Sequence, residues 1–301
     1  MQRINHQADG ALAGMIYAKY GFAFSTLSVS RKGFFCLQER TKRSVHMKLL
    51  RSIVLAFSMF SRLPMPKVAW NKENMRYVIC VLPLVGAIIG LCLWLWAWLM
   101  RTLGCGLFLQ AAGFTLLPIV ITGGIHLDGF GDTLDALASH AEPARKREIL
   151  KDPRAGTFAV IGIATYLLLY FGLCTELLPD KNTLLLLGLM HVLSRIWCAL
   201  AVVCFPASTR EGLLKTVKDP VDGKRATVVL FGLFILCIAA MLAVDWTAGA
   251  AMQVAALGCA LYVLVMSRQQ FGGMSGDLAG YLLQLGELSM LAALILIGKV
   301  V

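Results

Sequence analysis

The stretch from Tyr77 to Met100, YVICVLPLVGAIIGLCLWLWAWLM, runs for 24 residues without a charged side chain. About 20 consecutive apolar residues are enough to carry a helix through the hydrocarbon core of a bilayer. Outward from this stretch, further apolar runs recur at about 105–122, 157–178, 183–205, 226–244, 247–266 and 284–301, which makes seven expected spans. Pro83, Gly86, Gly90 and Pro118 fall inside them, and membrane helices tolerate both residue types. Of the 301 residues, 58% are hydrophobic and 15% charged, whereas soluble domains carry roughly a quarter charged residues. The expected fold is all-α: a polytopic membrane helix bundle of about seven transmembrane helices.

Before the first span, Lys48 to Leu63 reads as an amphipathic helix. Lys48, Arg51, Ser52, Ser58 and Arg62 share one side, and Leu49, Ile53, Ala56, Phe57 and Phe60 lie opposite. At about 24 Å it is shorter than the roughly 30 Å apolar core, and Pro64 and Pro66 stop it, so an interfacial or re-entrant helix is expected. Residues 1–46 differ in texture: mixed, basic and without a long apolar core. They read as a poorly structured extension or the product of an upstream start, with 47–301 as a single integral membrane domain.

The formal charge of +11 does not form a stripe suited to nucleic acid. It is concentrated in alternate loops: Lys67, Lys72 and Arg76; then Arg145, Lys146, Arg147, Lys151 and Arg154; then Arg210, Lys215, Lys218, Lys224 and Arg225. The intervening short loops carry Arg101, Lys181 and nothing at 245–247. By the positive-inside rule the basic loops face the cytoplasm and the last span ends outside. Nine cysteines, none in a C-x-x-C pair, read as small buried hydrophobes rather than a zinc site or disulfide framework.

The chemistry gathers in GGIHLDGFGDTLD, Gly123 to Asp135. Asp128, Asp132 and Asp135 stand at i, i+4 and i+7, one face of a helix. Three carboxylates there repel one another unless a cation sits among them, and hard oxygen donors suit Mg²⁺ with substrate phosphates. The bland alternative is a solvated helix start. Lys151-Asp152-Pro153-Arg154-Ala155-Gly156-Thr157 offers cations for an anionic ligand, or an ordinary positive-inside anchor. Gly272-Gly273-Met274-Ser275-Gly276-Asp277 reads as a ligand-wrapping loop whose Asp277 adds a metal ligand or a base. Arg195, beside Ser194 in an apolar run, is an ionisable residue at membrane depth and reads as facing phosphate. His191, one turn earlier, reads equally well as a packing residue.

From Met47 onward these motifs, in this order, resemble the cobalamin synthase (adenosylcobinamide-GDP ribazoletransferase) family. The resemblance begins at Phe60-Ser61-Arg62-Leu63-Pro64-Met65-Pro66 and Pro83-Leu84-Val85-Gly86. It continues through the aspartate stretch, Lys151 to Phe158 and Ser194-Arg195, and closes with Gly272 to Asp277 and Glu287. It implies a Mg²⁺-dependent transferase of the B12 nucleotide loop in a prokaryotic inner membrane, its site facing the cytoplasm. Adenosylcobinamide-GDP and α-ribazole, or its 5′-phosphate, would give adenosylcobalamin, or its 5′-phosphate, and GMP. Asp128, Asp132 and Asp277 would hold the metal, and Asp135 and Asp132 would be catalytic, Asp135 as the base. Lys151, Arg154, Arg195, Gly273 and Ser275 would meet substrate phosphate. A homo-oligomer or docking of other B12-assembly proteins stays open.

Two other classes compete. A CDP-alcohol phosphotransferase also uses aspartates at a membrane surface, but its motif places Ala-Arg soon after Asp-Gly, and here Phe130-Gly131-Asp132 follows. A transporter predicts inverted repeats and polar residues near mid-membrane, whereas the acids here gather at one surface.

Overall fold

In lipid, every backbone N–H and C=O must be paired within its own segment, so apolar runs fold as helices. The computed structural model describes residues 47–208 and 217–300. The basic stretch 1–46, and Arg210 and Lys215 of the 206–225 loop, lie outside the described residues. The helices are α1 (47–60), α2 (Lys72–Met75), α3 (Val78–Thr102), α4 (Leu107–Thr122), α5 (Ile125–Ala138) and α6 (Pro143–Ile149). They continue as α7 (Thr157–Thr175), α8 (Lys181–Cys204), α9 (Gly223–Val244), α10 (Trp246–Phe271) and α11 (Gly276–Val300). Six of them, α3 and α7 to α11, are long and apolar enough to cross a membrane. The chain is a multi-pass membrane protein.

The expected span at 105–122 takes a different form. α4 has 16 residues, about 24 Å, and the chain then turns by 94° into α5. Two successive left-handed glycines, Gly123 (φ 70°) and Gly124 (φ 77°), make the turn, a conformation that is costly for residues with a Cβ. α5, at 14 residues or about 21 Å, lies across the first turns of α7 and α11. The last span also differs: it begins at Gly276 rather than near 284, which places Asp277 in a helical turn instead of a loop.

α8 is the centre of the bundle. In its apolar window 72% of residues are buried, against 17% for α9, so α9 is a peripheral helix and α8 a core one. α3 reaches α8 closely through Gly86 and Gly90: a Cβ on Gly86 would strike the His191 carbonyl, and one on Gly90 would lie 2.7 Å from the Gly188 Cα. This small-xxx-small contact gives close van der Waals packing where lipid offers no hydrophobic drive between helices. Outward-facing Leu168, Val228, Ile235 and Leu261 are exposed, as a lipid-facing surface requires.

The connections separate into two ends. At one, Arg101 donates to the Pro179 carbonyl (3.3 Å) and Lys299 pairs with Glu176 (2.8 Å), so the end of α11 sits with the short links. At the other lie the long basic connections, α1 and α5. α1 buries Ala56 and Phe57 of its expected apolar face, but Leu49 of that face is exposed. Leu55 and Ser52, outside it, are buried, Ser52 donating to the Asn74 carbonyl (2.6 Å).

Candidate active site

The turn at Gly123-Gly124 leaves carbonyls at the end of α4 without helical partners. The Arg62 amide donates to one of them, Ile121 (2.8 Å), and the Arg62 side chain packs against Gly123. The segment after α1 is thereby tied to the start of the aspartate helix.

α5 presents Asp128, exposed, and Asp132, half-buried, next to Asp277 in the first turn of α11. Glycine permits the meeting. A Cβ on Gly129 would lie 2.7 Å from the Asp277 Cα, and one on Gly280 would lie 2.8 Å from the His126 carbonyl. Burial first, and then the charges of Asp128, Asp277 and Asp135, push the Asp132 carboxyl up to about 6. Among the described residues, no three His, Cys, Asp or Glu side chains converge into a ready-made metal cage.

Asp135, expected as the base, is otherwise engaged. Its two oxygens accept from the backbone amides of Gly156 (2.6 Å) and Ala159 (2.9 Å), at the start of α7. This satisfies amides that a helix N-terminus leaves unpaired and fastens the Lys151–Gly156 loop to α5. In that loop Lys151 is exposed, and Arg154 forks onto Asp152 through Nε (3.0 Å) and Nη2 (2.9 Å). Arg154 thus lowers the Asp152 carboxyl to about 2. Gly273 lets the chain pass the Pro206 carbonyl, where a Cβ would come to 2.6 Å, and supports an isolated bridge between Ala207 and Met274. The Ser275 hydroxyl accepts from the Leu278 amide (3.2 Å) and lies 3.5 Å from Asp277 Oδ2.

Arg195 is a correction. Expected to face phosphate, it turns into the bundle, where it and Glu287 are each only 2% exposed and form an ion pair. Ser194 Oγ donates to Glu287 (2.8 Å), His191 Nδ1 lies 2.8 Å from the same oxygen, and Arg195 Nη1 donates to Ser194 Oγ (2.8 Å). A charge buried in a bundle is expensive unless paired, and Glu287 supplies the pair. The signal was available: a carboxylate inside an apolar run needs a partner within the protein. His126 Nδ1, Tyr170 Oη and Arg195 Nε, all buried without a hydrogen-bond partner among the described residues, belong to side chains that line one void of about 10 Å³.

Beside Asp128 and Asp277 lies a cavity of about 260 Å³, walled by Phe60, Ile79, Leu82, His126 and Val202. Phe60 and His126 were legible as members of motifs but not as neighbours. Their rings are near-parallel (16°), centroids 6.3 Å apart. A cavity of about 310 Å³ occupies the opposite end, around Glu176, Asp180, Asp245 and Lys299, away from the aspartate helix.

Residues 52–295 match the family described as cobalamin-5-phosphate synthase. The chain belongs to that family. An adenosylcobinamide-GDP ribazoletransferase of Lachnoclostridium phytofermentans is 38% identical over 242 residues, covering 80% of this chain and 92% of that protein. One from Clostridium perfringens is 30% identical over 240 residues (79% and 94%), and one from Geobacillus kaustophilus 29% over 254 (78% and 91%). No solved structure matches the chain. The cobalamin-5-phosphate synthase match takes in the aspartate helix, the Lys151 loop, Arg195 and Glu287 alike.

Proposed function

We propose that this chain joins adenosylcobinamide-GDP to α-ribazole, or to its 5′-phosphate, releasing GMP, in a prokaryotic inner membrane with the site facing the cytoplasm. The observation that carries the reading is the close approach of α5 to α11 at Gly129, which sets Asp128 and Asp277 in the wall of one largely apolar cavity. The basic connections at that end support the cytoplasmic orientation.

Mg²⁺ is commonly held by one or two carboxylates together with water and substrate phosphates, not by an all-protein cage, and Asp128, Asp132 and Asp277 would hold it here. Bound there, it would screen the diphosphate and the charge developing on departing GMP. The α-ribazole hydroxyl oxygen bonds to the phosphorus on the cobinamide side, and the bond from that phosphorus to the GMP oxygen breaks. The hydroxyl proton passes to a carboxylate. Asp132 is better placed for this than Asp135, whose oxygens cap α7. Asp135 then acts as a positioning residue for Lys151 and Arg154, which bring positive charge toward the diphosphate. Arg154 has to exchange Asp152 for phosphate to do so.

The test is GMP release by the detergent-purified chain given both substrates, with and without Mg²⁺, beside Asp132→Asn. GMP and cobalamin product formed in equal amounts, dependent on the metal and on Asp132, support the reading. A folded protein that binds the corrinoid but releases no GMP under any condition sinks it.

A further inference from the structure

We propose that the 260 Å³ cavity between α1, α3, α5, α8 and the start of α11 is the subsite for the lower base of the incoming nucleoside, and that His126 and Phe60 select a benzimidazole there. The inference rests on the transferase reading and names the part of the substrate pair that this end of the site takes.

Size narrows the occupant first. Pockets for drug-sized ligands run from about 300 to 1,000 Å³. A 260 Å³ cavity takes a fused two-ring base and excludes a corrin macrocycle with its amide side chains, which must lie outside the mouth. Polarity narrows it further. Ile79, Leu82, Val202 and Phe60 make most of the wall apolar, and His126 is the strong side-chain hydrogen-bond donor among the described lining residues. Its Nδ1 is sealed off without a partner among the described residues, so the donor to a ligand is Nε2–H. The base of α-ribazole matches this chemistry: a fused aromatic with two ring methyls and one unsubstituted nitrogen as acceptor. Guanine, on the other substrate, carries several donors and acceptors, and its O6 and N7 would compete for one donor. A buried polar group left unpaired costs more than a hydrogen bond gains, so the apolar part of this lining favours the base with a single acceptor. The carboxylates of Asp128 and Asp277, which could accept from guanine N–H groups, are taken up at the diphosphate end.

Position completes the assignment. Asp128 and Asp277 line the same cavity and belong to the metal and diphosphate end. A base seated against Phe60 and His126 leaves its ribose directed toward those carboxylates, where the hydroxyl must arrive to attack. His126 is held for this role: its ring packs near-parallel to Phe60, and its backbone carbonyl lies against Gly280 of α11.

The experiment measures both substrate KM values, and α-ribazole binding through its benzimidazole fluorescence, for the full chain in detergent. His126→Leu and Phe60→Leu are expected to raise KM for α-ribazole on the order of tenfold, with KM for adenosylcobinamide-GDP unchanged within about twofold. Val202→Phe, which fills the cavity, is expected to abolish α-ribazole fluorescence binding while corrinoid binding persists. The wild-type chain should prefer the benzimidazole nucleoside over its adenine counterpart on the order of 100-fold, and His126→Leu should compress that ratio. If His126→Leu does not fold, half-buried Phe60 and the filling variant carry the test. A rise confined to the KM for adenosylcobinamide-GDP would assign the cavity to guanine and overturn the proposal, as would unchanged α-ribazole binding in all three variants. Loss of binding of both substrates by the wild-type chain would overturn the transferase reading itself.

Discussion

Two groups of ionisable residues sit within a few helical turns of each other in this bundle, and they solve the problem of charge near lipid in opposite ways. In the core, Arg195 of α8 meets Glu287 of α11, with His191 and Ser194 hydrogen-bonded around them. That set is sealed and carries its own counter-charge. Across the end of the bundle, burial and then the charges of Asp128, Asp277 and Asp135 raise the proton affinity of Asp132. Asp135 accepts from the first amides of α7. Asp128 and Asp277 line an open cavity, and Asp132 is half-buried near them. Charge neutralised within the protein is architecture, and charge left uncompensated at a surface is a place for a ligand to complete.

The sharpest way to break that contrast is to unbalance the core set. Glu287→Ala leaves Arg195 buried without its carboxylate, and removal of one partner of a buried pair costs about 3–5 kcal/mol. The variant is expected to lose its monodisperse peak in size-exclusion chromatography or to melt far lower. Arg195→Met combined with Glu287→Leu should recover most of the stability, because two apolar side chains need no pairing. A double variant as unstable as the single one would mean the network does more than neutralise charge.

The aspartate set should respond the other way. Asp132→Asn removes one of several repelling charges, so its thermal midpoint should stay or rise, while GMP release falls at least about 100-fold, the upper end of what even outer-sphere metal partners cost. A parallel loss of folding would move Asp132 from the ligand-completed class to the architectural one.

Asp135 stands between the two classes. Replacing a cap by alanine costs typically about 1 kcal/mol, so Asp135→Ala should lower the thermal midpoint by a few degrees. It should also release the Lys151 loop, with a rise in KM for adenosylcobinamide-GDP. Asp135→Asn, which keeps one acceptor oxygen, should restore part of both. Full activity in Asp135→Ala would show that the loop needs no tether.

The smallest effect concerns Asp152. Arg154 holds its folded-state carboxyl at about 2, below the ordinary value of 3.8. A depressed carboxylate contributes stability that is fully present above the ordinary value and is lost as pH falls through about 2. Because the pair is exposed to solvent, Asp152→Asn should shift thermal midpoints only slightly at pH 7, and the difference should vanish on acidification through that window. A large shift would show that the pair organises the loop before substrate arrives.

Much of this was readable in one dimension. Hydropathy is a local property, so the membrane class, the positions of most spans and the alternation of basic and bare connections follow from the sequence. The i, i+4, i+7 spacing of Asp128, Asp132 and Asp135 likewise fixed a shared helical face, and the motif order pointed to the family. What the sequence could not supply was which distant residues meet. Gly129 and Gly280 allow α5 to touch α11, and that contact brings Asp277 to the aspartates. The double left-handed turn at Gly123-Gly124 lays α5 across the bundle instead of continuing a span. The same packing turned Arg195 inward to Glu287 and gave Asp135 the amides of α7 to satisfy. Propensity and polarity act over a turn or two of chain, whereas a carboxylate's partner is decided by the close packing of helices that lie far apart in sequence.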